Sequence, residues 1–385
     1  MQNLAYQTIR GGGWGKRASR IVIAHGLLGN SANWKSTANH LAKNNLIHSK
    51  LHEINVLDMR NHGGSPHVEK HTNASMAADL ELFTLLRQQN KENNNNDGVV
   101  LIGHSMGGLA VMATLLSRAN ESALLLPSSE EFKARCERGD YYGWKDEQGY
   151  GEEMRLVNSI MGFPVQKPLR DVIYEYKDTP NSLSYNQQEE QKERGPRVKA
   201  AIIVDITPST MLGEQTEESK SVSATLDAMA AVDLRKVRNF TDCAAALERA
   251  GVIEKSMRDF VLTNLSLNTG TGEAKWRCNL PVLRADYQKI ALGLRDWFLN
   301  AEEEKNDYSK NDKNDDKVTP VRCSLPTLFV FGEKSPYNNP SDRRLIDCFF
   351  SNNKQIEIAG AGHFVHYEKM KDFVEAVAPF LAEQL

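Results

Sequence analysis

From residue 21 to residue 116 the chain repeats one unit: a short apolar run, followed by a stretch with helical spacing. Ile21–Ala24 is the first run and ends at His25-Gly26; Asn30–Asn45 then carries Trp34, Ala38, Leu41 and Ala42 at helix-like intervals. Glu53–Leu57 is the second, closing on Asp58 to Pro66, and Met76, Leu80, Phe83 and Leu86 mark a helix with Ser75 placed as its cap. Val99–Ile102 is the third, and Leu109–Leu116 begins the helix behind it. Strands and helices in this alternation require crossover connections, and crossovers dictate a parallel sheet. The expected class is therefore α/β, with a mostly parallel central sheet flanked by helices.

Outside that region the rhythm is less even. Leu4–Ile9 alternates like a first strand, and Gly11–Gly13 reads as the turn after it. Residues from about 119 to 197 mix aromatic and charged stretches and read as an insertion. Ala200–Val204 restores the buried-strand signal and ends on Asp205. From about 209 to 298 the rhythm is helical, with Ala224, Leu226, Met229 and Val232, then Met257, Phe260, Val261 and Leu265 in step; this segment is expected to form a helical lid. Residues from about 300 to 317 are nearly all charged or Asn and suit a solvated loop. Leu328–Phe331 and Gln355–Ile358 are further strands, and Phe373–Leu381 a closing helix. The organisation expected is one domain over 1–385, its core made of 1–118, 198–208 and 318–385.

Composition narrows the function classes. With 385 residues, 40% of them apolar, the chain can bury a sizeable core. Its formal charge of -3 lacks the basic excess of a nucleic-acid binder. No apolar run reaches the roughly 18 residues of a membrane span. The five cysteines are widely spaced with no Cys-x-x-Cys pair, which fits a reducing compartment and neither a zinc site nor a disulfide framework. A cytoplasmic protein is expected, since a strand beginning near Leu4 leaves no room for a removable leader; the basic residues Arg10, Lys16, Arg17 and Arg20 keep a mitochondrial location as the alternative.

Gly103-His104-Ser105-Met106-Gly107 follows an apolar strand and precedes a helix. A turn that sharp needs glycine on both sides, and it holds a serine hydroxyl out at the carboxyl edge of the sheet beside a helix N-terminus. Ser105 is the candidate nucleophile. His25-Gly26-Leu27-Leu28-Gly29 follows the earlier strand, where such a loop supplies a backbone N–H to an oxyanion hole; the candidate donors are Leu27 and Met106. A serine hydroxyl needs a base, and His363, in the glycine-bracketed loop after the last strand, is the candidate, with His366 as its competitor. His62 and His104 read as structural. The acid has two candidates. Asp205 ends the strand after the nucleophile's unit, and Glu333 follows the strand before the histidine, where an aspartate is customary. Asp205 is favoured; Asp227 and Asp342 stand further out.

Several stretches resemble one group of proteins, the abhydrolase-domain-containing 11 subfamily of the α/β-hydrolase superfamily with its bacterial relatives, the YbfF-like esterases. They are His25 to Gly29, Asp58 to Pro66 with His67, Gly103 to Gly108, Val204 to Pro208, Leu262 to Leu265, Trp276-Arg277 with Asn279-Leu280, Pro326 to Phe329, and Ala361 to His363. The resemblance implies the α/β-hydrolase fold with a helical lid, and hydrolysis of small-molecule carboxylic esters without a cofactor or metal. It supports Asp205 as the acid, taken from the equivalent strand end, with Ser335 standing where other hydrolases carry aspartate. The position after the lid's Asn-Leu, another place given for the acid in this subfamily, is Pro281 here and cannot serve. The 119–197 insertion and the charged loop depart from the pattern without removing a catalytic residue.

The function expected is that of a serine hydrolase working through an acyl-enzyme. An acyltransferase that passes the acyl group to an alcohol would use the same residues. A non-catalytic ligand-binding protein on this scaffold is the alternative from another class. Fold does not decide among them.

Overall fold

In the computed structural model the inner strands are buried at almost every position, because the sheet is covered on both sides. The structure describes residues 2–13, 19–89, 98–123, 198–208, 217–268, 270–291, 293–294 and 323–385. The strands are β1 (Tyr6–Arg10), β2 (Ser19–Ala24), β3 (Leu51–Leu57), β4 (Val99–His104), β5 (Val198–Val204), the short β6 (Leu265–Leu267) and β7 (Ala274–Trp276), then β8 (Thr327–Gly332) and β9 (Asn353–Ile358). Seven form one sheet in the order β1-β3-β2-β4-β5-β8-β9. All its pairings are parallel except β1 on β3. As strand order runs outward from β2 in both directions, the carboxyl ends of β2 and β4 flank a topological switch point, where ligands of such sheets bind.

Alternate residues feed two cores. Val22, Leu101, Ile203, Phe329 and Phe331 face one side, packing with Met76, Leu80 and Phe83 of α2 (Asn73–Gln89), Leu109 and Met112 of α3 (Met106–Ala123) and Ile346 of a later helix. Ile21, Ile23, Val100, Ile102, Ile202 and Val330 face the other, against Ala38 and Leu41 of α1 (Lys35–Lys43) and residues near the C-terminus such as Phe373, Val377 and Leu381.

A third cluster holds the described part of the expected lid: α4 (Glu217–Ala231), α5 (Phe240–Arg249), α6 (Lys255–Leu262) and α7 (Leu280–Ala291), joined around Leu226, Met229, Cys243, Leu247, Val261 and Leu283. Three further α-helices lie among the described residues: α8 (Pro340–Phe349), α9 (Val365–Glu368) and α10 (Met370–Gln384).

Three readings change. The lid is not wholly helical: Leu265, read as part of a helix, begins β6, which pairs antiparallel with β7 around a turn whose Gly270 and Thr271 N–H groups bond the Asn268 carboxamide. Three-residue strands are too short for their alternation to show in the sequence. The cap of α2 is Thr72, whose hydroxyl accepts the Ser75 N–H at 3.2 Å; Ser75 returns the bond from the third helical position by accepting the Thr72 N–H at 3.0 Å. The helix α8 was not foreseen; among its described side chains Ile346 and Phe349 are the buried apolar ones, set among charged residues. The helix α3 runs on to Ala123, into the start of the expected insertion. The rest of that insertion, and the charged loop 300–317, lie outside the described residues.

Candidate active site

The chain turns from β4 to α3 on the single residue Ser105. Its φ of 50° lies in the left-handed region, which costs an L-residue roughly 1–2 kcal/mol. The turn closes because its neighbours lack side chains: a Cβ on Gly103 would enter the carbonyl of Gly107, and one on Gly107 the carbonyls of Ala24 and His25. The Ser105 N–H bonds the Val204 carbonyl at 3.0 Å, tying the turn to β5. Among the described residues, the non-glycine positions with positive φ are Leu28 (58°), Asn61 (64°), Ser105 (50°) and Asp205 (56°). Strain of this kind persists where the surroundings over-determine it, and here it gathers at one edge of the sheet.

The His25–Gly29 loop lies against the serine, since a Cβ built on Gly26 would stand 3.2 Å from that of Ser105. The Gly26 carbonyl accepts from His25 Nδ1 at 2.7 Å and from the Gly29 N–H at 2.9 Å. Because the peptide is planar and trans, fixing that carbonyl fixes the Leu27 N–H in the opposite direction. Met106 opens α3, where an N–H has no partner within the helix. Among the described residues neither the Leu27 nor the Met106 N–H carries a hydrogen bond. Both are available to an oxyanion.

Histidines brace this loop from beneath. His25 donates from Nδ1 and accepts the Met59 N–H at Nε2 (2.9 Å), so it is neutral in one tautomer. His62 does the same, donating from Nδ1 to the Arg60 carbonyl and accepting the Leu28 N–H at Nε2 (3.1 Å). Burial lowers the pKa of both, and holds His71, beside Met106, down to about 3. Asp58 accepts the Ser31 and Gly64 N–H groups, while Arg60 and Asp79 form a buried two-bond ion pair at 2.6 and 2.9 Å.

Asp205 follows β5, one position past the register pair His104–Val204, so it stands beside Ser105 at the carboxyl edge. It is fully buried. Its Oδ1 accepts the Gly332 N–H at 2.9 Å, and Oδ2 accepts from the Ser335 hydroxyl and from His363 Nδ1 at 2.7 Å. With its Nδ1 proton given to the carboxylate, a neutral His363 keeps its lone pair on Nε2. Among the described residues no hydrogen bond joins the Ser105 hydroxyl to the imidazole; such bonds often tighten only in the substrate complex. Tyr337 lies over the His363 ring at 4.5 Å between centroids.

The competitors are placed elsewhere. The exposed Glu333 carboxylate accepts the Gly360 N–H at 2.6 Å, pointing to the loop backbone and not to His363. His366 is buried, stacked on Trp34 at 3.8 Å, and held neutral by burial to about pH 3. Asp227 pairs with Arg284 on the lid. His104, its pKa pushed well down by burial, donates from Nε2 to the His363 carbonyl at 2.9 Å and so anchors the histidine loop. Sequence reasoning noticed Ser335 only as a missing aspartate; its role as a hydroxyl donor to Asp205 depends on β8 lying beside β5. Among the described residues, no group of three or more His, Cys, Asp or Glu is arranged to hold a metal ion. No helix there is long and apolar enough to cross a membrane.

The lid reaches this edge through several contacts. The Asn279 N–H bonds the Asn61 carbonyl at 2.8 Å, Asp286 accepts the His71 N–H at 2.8 Å, and Phe260 meets Phe364 at 4.8 Å between ring centroids.

Residues 19–124 match the family model described as alpha/beta hydrolase fold. The chain is 25% identical over 361 residues to the "sn-1-specific diacylglycerol lipase ABHD11" of Xenopus laevis, covering 94% of this chain and 79% of that one. It is 24% identical over 363 residues to "Esterase YbfF" of Escherichia coli (strain K12), covering 94% and 93%. Among solved structures, the "Marine microorganism esterase" superposes with a TM-score of 0.61 at 22% identity, covering 99% of this chain and all of that one. The strand order, the strained serine between β4 and α3, and these matches have one reading in common: the chain has the α/β-hydrolase fold.

Proposed function

We propose that the protein is a serine hydrolase that cleaves carboxylic esters in two steps. Ser105 Oγ attacks the ester carbonyl while His363 Nε2 takes its proton, and Asp205 holds the imidazole in the tautomer that leaves Nε2 free. The Leu27 and Met106 N–H groups bind the oxyanion of the tetrahedral intermediate. Collapse expels the alcohol, which receives the proton from His363, and leaves an acyl-enzyme. Water, activated by the same histidine, then releases the acid. The observation that carries this reading is the 2.7 Å bond between Asp205 and His363 at the sheet edge that also bears the strained Ser105. That the relatives are named as a lipase and an esterase supports the ester bond as the target. The apolar cluster of the lid, which includes Leu28 and is flanked by Leu27, suits an apolar acyl or alcohol group of a small-molecule ester. The free, buried thiols of Cys243, Cys278 and Cys323, held protonated by burial, suit a reducing compartment such as the cytoplasm.

Burst kinetics with p-nitrophenyl acetate and butyrate test the proposal. A burst of nitrophenol equal to the enzyme concentration, lost in Ser105→Ala, is the expected result. Ethyl ester formed when ethanol is added in water would reassign the protein as an acyltransferase. Absence of both burst and turnover would move a non-catalytic binding role ahead.

A further inference from the structure

Leu28 occupies the left-handed region at φ 58°, immediately after the proposed oxyanion donor Leu27. A bulky residue does not rest there unaided. Two side chains from different parts of the molecule seize its backbone. From the core, His62 Nε2 accepts the Leu28 N–H at 3.1 Å. From the lid, the Asn264 carboxamide donates Nδ2 to the Leu28 carbonyl at 2.7 Å. Asn264 is completely buried, and its backbone is itself held, the N–H on Val261 at 2.9 Å and the carbonyl by Arg277 at 2.7 Å. The Leu28 side chain packs inside the apolar cluster of the lid, not with the sheet. The lid therefore grips one residue of the oxyanion loop by both side chain and backbone.

We propose that Asn264 and His62 are positioning residues that together set the oxyanion hole, so that the docked lid is part of the catalytic geometry and not only a cover. Each holds one side of Leu28: releasing either lets the strained residue relax toward negative φ. That rotation moves the Gly29 N–H off the Gly26 carbonyl, and the Gly26–Leu27 peptide turns with it. The Leu27 N–H then no longer points at the oxyanion. The inference rests on the ester-hydrolase reading and deepens it.

The test compares Asn264→Ala, the isosteric Asn264→Asp, His62→Leu and His62→Gln with wild type and Asn279→Ala. Asn279 bonds Asn61 and Val68 and makes neither of the two bonds to Leu28, so its variant loosens the lid while both partners of the clamp remain. Glutamine at position 62 presents a carbonyl oxygen where Nε2 stood. The readouts are kcat and KM for p-nitrophenyl butyrate, and inhibition by an alkyl trifluoromethyl ketone. That ketone adds Ser105 Oγ to its carbonyl carbon, passing the hydroxyl proton to His363 and leaving an oxyanion; butyrate serves as the ground-state comparison. Expected are losses of about 10- to 100-fold in kcat for both Asn264 variants and His62→Leu, with KM within about twofold and the ketone weakened in parallel. Butyrate binding, His62→Gln and Asn279→Ala should stay near wild type. Unchanged kcat in folded Asn264 variants overturns the inference, as does an equal loss in Asn279→Ala, which would mean that any loosening of the lid suffices. If the Asn264 variants do not fold, the His62 pair decides alone: equal activity of Leu and Gln overturns the clamp. A wild type that neither turns over ester nor binds the ketone overturns the ester-hydrolase reading itself.

Discussion

Replacing Asp205 by asparagine changes one atom in the buried hydrogen-bond set and should nearly abolish turnover. The carboxylate accepts three bonds: Gly332 N–H on Oδ1, and the Ser335 hydroxyl and His363 Nδ1 on Oδ2. An asparagine has one acceptor and one donor to place there. If its NH2 faces Gly332, two N–H groups oppose each other in a site with no solvent, at a cost of about 1–3 kcal/mol. The amide therefore keeps its oxygen on Gly332 and turns its NH2 toward Ser335 and His363. The hydroxyl can reverse and accept. The imidazole can accept only by moving its proton to Nε2, which removes the base. The orientation preference alone leaves roughly a tenth to a hundredth of the molecules in the active tautomer. The lost carboxylate also withdraws about 4 kcal/mol of attraction for the imidazolium at an effective dielectric near 20. A fall in kcat of about 10⁴-fold follows, the size known for this exchange in other triads. Stopped-flow acylation by p-nitrophenyl butyrate measures it, with Glu333→Gln as the companion expected to remain near wild type. An Asp205→Asn enzyme within about 30-fold of wild type would refute the argument, because the tautomer would then not depend on Asp205.

Further outcomes follow from the packing. Gly107→Ala should yield no active enzyme, since the new Cβ meets the Ala24 and His25 carbonyls and neither belongs to a side chain that could step aside; ester turnover in a folded Gly107→Ala would show that the elbow tolerates a wider turn. Stability should fall as pH drops below about 6.5. The unfolded chain protonates His71 and His366 near that value, whereas in the fold burial keeps both neutral to about pH 3. Between those limits the unfolded state binds more protons, so each histidine removes about 1.4 kcal/mol per pH unit. Urea midpoints at pH 7, 6 and 5 that do not decline would contradict this. Asp79→Ala leaves the Arg60 guanidinium buried without its partner, a loss of about 3–5 kcal/mol readable by denaturant titration; a change under about 1 kcal/mol would mean that water reaches Arg60 in the variant.

How much of this was legible beforehand follows from range. The alternation of apolar runs with helical stretches is a property of neighbouring residues, and it was enough for the parallel sheet, for the strand ends and for the serine turn. Gly103, Ser105 and Gly107 sit within five residues, so the steric demand that makes them glycine and serine is local. The proposed roles of Leu27, Met106 and His363 rest on the same kind of local signal, each residue placed by the strand or helix beside it. The hairpin of the lid and the cap of α2 were not. Three-residue strands show no period, and either Thr72 or Ser75 satisfies a capping pattern until the helix start is seen.

The acid is the clearest division. By itself the sequence determined that a carboxylate stands at the end of one strand and another just after a later one. Only the tertiary structure shows which of them reaches His363: β5 lies between β4 and β8, so Asp205 meets His363, Gly332 and Ser335 at once, while Glu333 turns to Gly360. The same holds for the grip of Asn264 on Leu28, across 236 positions of chain. Local sterics are written in adjacent residues, whereas the pairing of distant groups depends on strand order and lid docking, which no short stretch of sequence contains.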